Sequence, residues 1–141
     1  MKKTILLFLV CFSFLSIAQN KTAEDFNFVG KWKGIDKNKT GYFIFEKDGT
    51  AMMNVGDKVI GGKDYFANGK KANINYTIDQ TSKPITIDFI MSLDGVEKKK
   101  RLLFIADIIN ADSFKIASDF NDERPSGFTE HNTMVFTRVQ E

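Results

Sequence analysis

Apolar residues return at every second position in short runs, and polar turn residues separate the runs. Ala72, Ile74, Tyr76 and Ile78 fall on one face of a strand, with Asn73, Asn75, Thr77 and Asp79 on the other. Ile85, Ile87, Phe89, Met91 and Leu93 repeat the alternation. Similar runs cover 28–35, 41–47, 50–55, 72–79, 85–93, 99–109, 114–120 and 133–139. Residues 58–66 are less regular, and Gly61-Gly62 there predicts a bulge or a sharp bend. Asp48-Gly49, Asn68-Gly69 and Asp94-Gly95 are hairpin turns by composition. No segment repeats with the period of a helix. Consecutive hairpins predict an all-β, antiparallel up-and-down sheet. A sheet this long removes its edges by closing, so the expectation is a barrel of about eight strands. A barrel of that size is either filled by side chains or holds one small ligand. A two-sheet sandwich is the structural alternative.

The first residues depart from this pattern. Met1-Lys2-Lys3 is basic, residues 5–17 are apolar, and Ser16-Ile17-Ala18 supplies small residues. The arrangement reads as a secretory signal peptide over residues 1–18, cleaved after Ala18, ahead of a single domain at 19–141. The apolar run is shorter than the roughly 20 residues a spanning helix needs, so no stable membrane insertion is expected. Export places the mature chain in the periplasm or outside the cell. The sole cysteine, Cys11, lies within the leader. The mature domain therefore lacks disulfides and thiolate ligands and must rely on its core. Loss of Lys2 and Lys3 leaves 18 basic and 18 acidic residues. A neutral chain has no electrostatic bias towards nucleic acid or anionic membrane.

Particular residues add a resemblance. Gly30-Lys31-Trp32 resembles the glycine-x-tryptophan signature of lipocalins, and Arg138 in VFTRV is similar to the late basic residue that packs across that tryptophan. The stretches YTIDQTSKPITID, LLFIADIINADSFKIA and ERPSGF resemble a pattern in lipocalin-like domains of exported bacterial proteins, over nearly all of the mature chain. The resemblance implies an antiparallel barrel plugged at one end by Trp32, with Arg138 over its face and a small apolar ligand at the open end. A cation–π contact of that kind is worth about 0.5 to 2 kcal/mol. The chain is shorter than the secreted vertebrate lipocalins and lacks their disulfide and late helix.

Asp79 and Asp88 flank Lys83-Pro84 and could act as an acid and a base. The competing reading, which we favour, is structural: Asp79 bonds loop amides, and Asp88 pairs with Arg124. Pro125 biases Arg124 towards an extended backbone, and a fixed guanidinium in that long loop could clamp an anionic headgroup. A salt bridge from loop to sheet is the plainer role. His131 is the sole histidine, so no catalytic zinc site can be assembled around it. Asp36 to Gly41 begins like a calcium loop, but its twelfth position is Lys47. Asp119, Asn121, Asp122 and Glu123 lack the glycine such a loop needs. Lys98-Lys99-Lys100-Arg101 reads as a charged strand end that resists edge pairing.

The sequence therefore predicts a monomeric, non-enzymatic, exported domain without cofactor or metal. Its barrel binds a small apolar or amphiphilic ligand. Phe43, Phe45, Tyr76, Phe89 and Phe104 are candidate walls, and Arg124 is a candidate headgroup contact. Gly30, Trp32, Asp79, Pro84, Asp88, Pro125 and Arg138 form the structural signature. The alternatives are a filled barrel that binds another protein and, more weakly, a hydrolase using Asp79 and Asp88.

Overall fold

A computed structural model describes residues 26–119 and 121–141, so the signal-peptide expectation lies outside the described residues. Ten strands follow in chain order: β1 (Gly30–Asp36), β2 (Lys39–Phe45), β3 (Ala51–Val55), β4 (Lys58–Gly61) and β5 (Phe66–Ala67), then β6 (Lys70–Asp79), β7 (Ile85–Leu93), β8 (Val96–Asn110), β9 (Ser113–Ala117) and β10 (Thr133–Arg138). They form one antiparallel sheet in the order β4-β3-β2-β1-β10-β9-β8-β7-β6-β5. Among the described residues there is no helix.

The predicted architecture is present in its coarse form, an all-β antiparallel meander. The count of about eight strands is corrected to ten. The irregular stretch 58–66 is not one strand. Gly61 ends β4 at φ +96°, where a side chain would be strained, and a Cβ there would lie 2.5 Å from the Ala51 carbonyl oxygen. The chain bends at that point, and β5 forms separately.

The sheet curls, as twisted antiparallel sheets do. Its ends approach at the base of β3 and the middle of β6. Thr50 and Asn75 form an isolated bridge, and the Tyr76 amide donates to the Gly49 carbonyl at 2.9 Å. The edges of β4 and β5 are not paired with each other.

Alternation fixes which side chains fill the concave face. Phe43 and Phe45 on β2, Ile87 and Phe89 on β7, Phe104 on β8, Phe114 on β9 and Phe136 on β10 are buried together with Trp32 and Ile74. Phe43 stacks on Phe136 at 4.5 Å, and Phe114 meets Trp32 edge to face at 4.8 Å. Such pairs add about 0.5–1.5 kcal/mol each beyond the area they bury. The loop after β9 crosses the outer surface. Its Arg124 donates to the Phe104 carbonyl at 2.8 Å, and Pro125 is buried. Ile105, between inward-facing Phe104 and Ala106, points to that outer side and is also buried.

Candidate functional site

The two ends of the curled sheet are built differently. At one end Trp32 is fully buried, and its indole Nε1–H donates to the Phe28 carbonyl at 2.8 Å. Phe26 stacks on the indole at 5.7 Å. The Arg138 guanidinium also lies over the ring, its carbon 4.1 Å from the centroid. Register explains the meeting, because Trp32 on β1 sits opposite Arg138 on β10. Arg138 also donates to the carbonyls of Asn27 at 2.8 Å and Val29 at 3.1 Å, and approaches Asp112 at 3.4 Å. A Cβ on Gly30 would stand 3.2 Å from this guanidinium, so the small residue leaves room for it.

At the other end the phenylalanine stack stops short. A cavity of about 390 Å³ opens between β1, β2, β3, β8 and β10. Phe43, Met53, Phe104, Ile116, Met134 and Phe136 line its depth, and Asp36, Lys39 and Val55 stand at its rim. A second cavity, about 360 Å³, lies where β3 and β4 face β6, β7 and β8. Its lining includes Ile74, Phe89, Met91, Leu93, Lys98 and Lys100. Met53, Ile60 and Leu102 border both, so the two spaces adjoin across those side chains.

The structure brings together only part of the predicted ligand wall. Phe43 and Phe104 line the larger cavity and Phe89 the smaller. Phe45 lies deeper, within the buried core. Tyr76 packs edge to face on Phe45 at 4.9 Å, and its hydroxyl donates to the Glu46 carbonyl at 2.8 Å. Burial, followed by the nearby Asp48 and Glu46 charges, raises the Tyr76 pKa. Arg124 lies on the outer face, where it donates to Asp88 at 2.6 Å. Phe45, Tyr76 and Arg124 are outside the lining of both cavities. Met53, Ile60, Leu102 and Met134 line the cavities but were not singled out in the sequence. Inward alternation from Ala51 to Met53 and from Met134 to Phe136 carries that signal.

Asp79 and Asp88 both fall on the outward side of the β6–β7 pair, Asp79 opposite Thr86 and Asp88 opposite Thr77. Each is engaged. Asp79 accepts from the Thr81 hydroxyl at 2.6 Å and the Thr81 amide at 2.9 Å, which lowers its pKa. A general acid needs the opposite shift. Asp88 holds Arg124 and, at 3.5 Å, Arg101. The intervening Lys83–Pro84 peptide is cis. His131 is exposed in the loop before β10. Among the described residues no group of three His, Cys, Asp or Glu side chains is placed to hold a metal ion.

The geometry therefore defines an antiparallel β-protein with one sealed end and one apolar, partly open end. Comparison of the chain with protein-family models, curated proteins and solved structures finds no match.

Proposed function

We propose that this chain is an exported, lipocalin-like binding domain whose ligand is a small apolar or amphiphilic molecule seated in the open half of the curled sheet. The observation that carries this reading is the adjoining pair of cavities, of about 390 and 360 Å³, beside a core of packed aromatic rings. Small-molecule sites begin at about 300 Å³ and have mainly apolar walls with a few polar groups. The phenylalanines, methionines and leucines described above provide such walls. Met53, Met91 and Met134 are unbranched and polarizable, which suits them to ligands of varied shape. The Trp32–Arg138 arrangement supports the lipocalin-like part of the proposal.

Binding is the function proposed, not catalysis. The engaged state of Asp79 and Asp88 argues against the hydrolase reading. The filled-barrel reading draws support from the aromatic stack but leaves both cavities without a role.

Native mass spectrometry of protein purified from its own host tests the proposal. The expected spectrum carries an adduct with the mass of a small lipid, and the stripped protein takes up a neutral apolar probe such as N-phenyl-1-naphthylamine. A clean apo mass together with no probe uptake contradicts it.

A further inference from the structure

The charged strand end at 98–101 has a second face. β8 runs beyond the last rung it shares with β9, which pairs Ile105 with Ala117. Its first half therefore has β7 on one side and, among the described residues, no paired strand on the other. Alternation gives Lys98 and Lys100 the same side as Leu102 and Phe104. The β7–β8 register shifts here: Met91 stands opposite Lys100, while Leu93 stands opposite Val96. Such irregularities re-aim side chains and are common beside binding sites. Both lysines border the smaller cavity, with Met53, Phe89, Met91 and Leu102. They also border a shallow groove along the open edge of β8, whose lining includes one carboxylate, Asp122, so a group held at them reaches water.

The balance of charge at this spot is uneven. The lining of the smaller cavity contains these two lysines and no carboxylate. Among the described residues, the ion pairs use Arg101, Lys115, Arg124 and Arg138, and neither Lys98 nor Lys100 has an acidic partner within 4.0 Å. Arg101, between them and Leu102, faces outward to Asp88. Two like charges two residues apart on one face repel each other, and an anion between them relieves that repulsion. Their aliphatic stems can lie along the apolar wall while the ammonium groups stay at its edge.

We propose that the ligand is a single-chain amphiphile with an anionic head, its tail in the adjoining cavities and its carboxylate or phosphate at Lys98 and Lys100. This rests on the reading of those cavities as the ligand site and goes beyond it by naming the head. Arg124, the anion clamp suggested by the sequence, is occupied by Asp88 instead.

Calorimetric titration with dodecanol, dodecanoate and dodecyl phosphate, each below its micelle concentration and at low salt, provides the test. The two anions are expected to bind about tenfold tighter than the alcohol, the worth of one charge-assisted contact. The advantage shrinks in high salt. A K98Q/K100Q double variant binds the anions no more tightly than it binds dodecanol. K99Q, on the outward side, keeps the advantage. An advantage confined to one of the two anions supports the proposal and identifies the head. Equal binding of alcohol and anions by the unaltered protein overturns the anionic head and leaves the apolar site standing. An advantage that survives in the double variant overturns the assignment to these lysines. No binding of any of the three overturns this proposal and the ligand site together.

Discussion

The Trp32 end and the open end of this sheet use similar residue types but pack them differently. Around Trp32 the rings of Phe26 and Phe114 pack closely, and the indole N–H and the Arg138 guanidinium bond the carbonyls of Asn27, Phe28 and Val29. At the other end Phe43, Phe104 and Phe136 present ring surface to empty space. Interiors pack to crystal-like density, so apolar surface left uncovered in a small protein is costly unless something fills it. Under the proposed function, the contrast segregates stability and binding along the axis of the sheet. Residues near Trp32 should answer chiefly to stability measurements, and residues at the cavities chiefly to ligand measurements.

The largest effect should come from the sealed end. Trp32→Ala removes a fully buried ring and the seat of Arg138. Chemical denaturation should show a loss of about 3–5 kcal/mol. Apolar probe binding by whatever fraction stays folded should persist. A loss below about 1 kcal/mol would break the comparison at its strongest point.

Next in size is the outer clamp. Arg124→Ala strips Asp88 of its closest partner and leaves the Phe104 carbonyl without its donor. A hydrogen bond to a charged group is worth about 1.5–3 kcal/mol, and Arg101 remains near Asp88 to recover part of it. A loss of about 1–2 kcal/mol by thermal or urea unfolding is expected, with little change in probe affinity. A selective loss of probe binding instead would return Arg124 to the ligand site.

A rim substitution should reverse that pattern. Val55 borders the larger cavity and is 53% exposed. Val55→Asp should shift stability by no more than about 0.5 kcal/mol, as exposed substitutions do. Uptake of a neutral apolar probe should fall several-fold, because a charge now stands at the entrance. A stability loss without a binding loss would show that the rim is structural.

The smallest effect concerns acid. The Thr81 hydroxyl and amide hold the Asp79 carboxylate below its ordinary pKa of 3.8. The stabilisation is present above that unfolded-state value and is lost as pH falls through the lower folded value. Asp79→Asn should therefore flatten the decline in stability below about pH 3.8 and leave neutral binding unchanged. A decline as steep as in the parent protein would remove Asp79 from the acid response.

The fold and the site differ in how far they can be read from sequence, for physical reasons. Turn chemistry is local, so Asp48-Gly49, Asn68-Gly69 and Asp94-Gly95 mark their hairpins correctly. Alternation is also local, and it places Ile74, Ile87 and Phe89 inward. Gly61-Gly62 announced irregularity, but not a strand break, because that depends on how close Ala51 lies across the sheet. The Asp88–Arg124 pair and the Trp32–Arg138 contact were legible as pairings of charge or ring. The cavities were not. Which phenylalanines touch each other and which face a void depends on strand stagger, and Phe43 and Phe45 read alike in sequence. Lys98 and Lys100 are exposed, as a charged strand end should be, and the register shift opposite Met91 and Leu93 that sets them beside the smaller cavity has no local sequence mark.

Methionine methyls report most directly on the division between the two ends. Met53, Met91 and Met134 line the cavities, whereas Met52 follows an inward residue and points outward. In a methyl NMR titration with dodecanoate, the three cavity methyls should shift together and saturate, while Met52 stays in place. If none of the three moves at a saturating concentration, or if Met52 moves as much as they do, the open end is not a binding site.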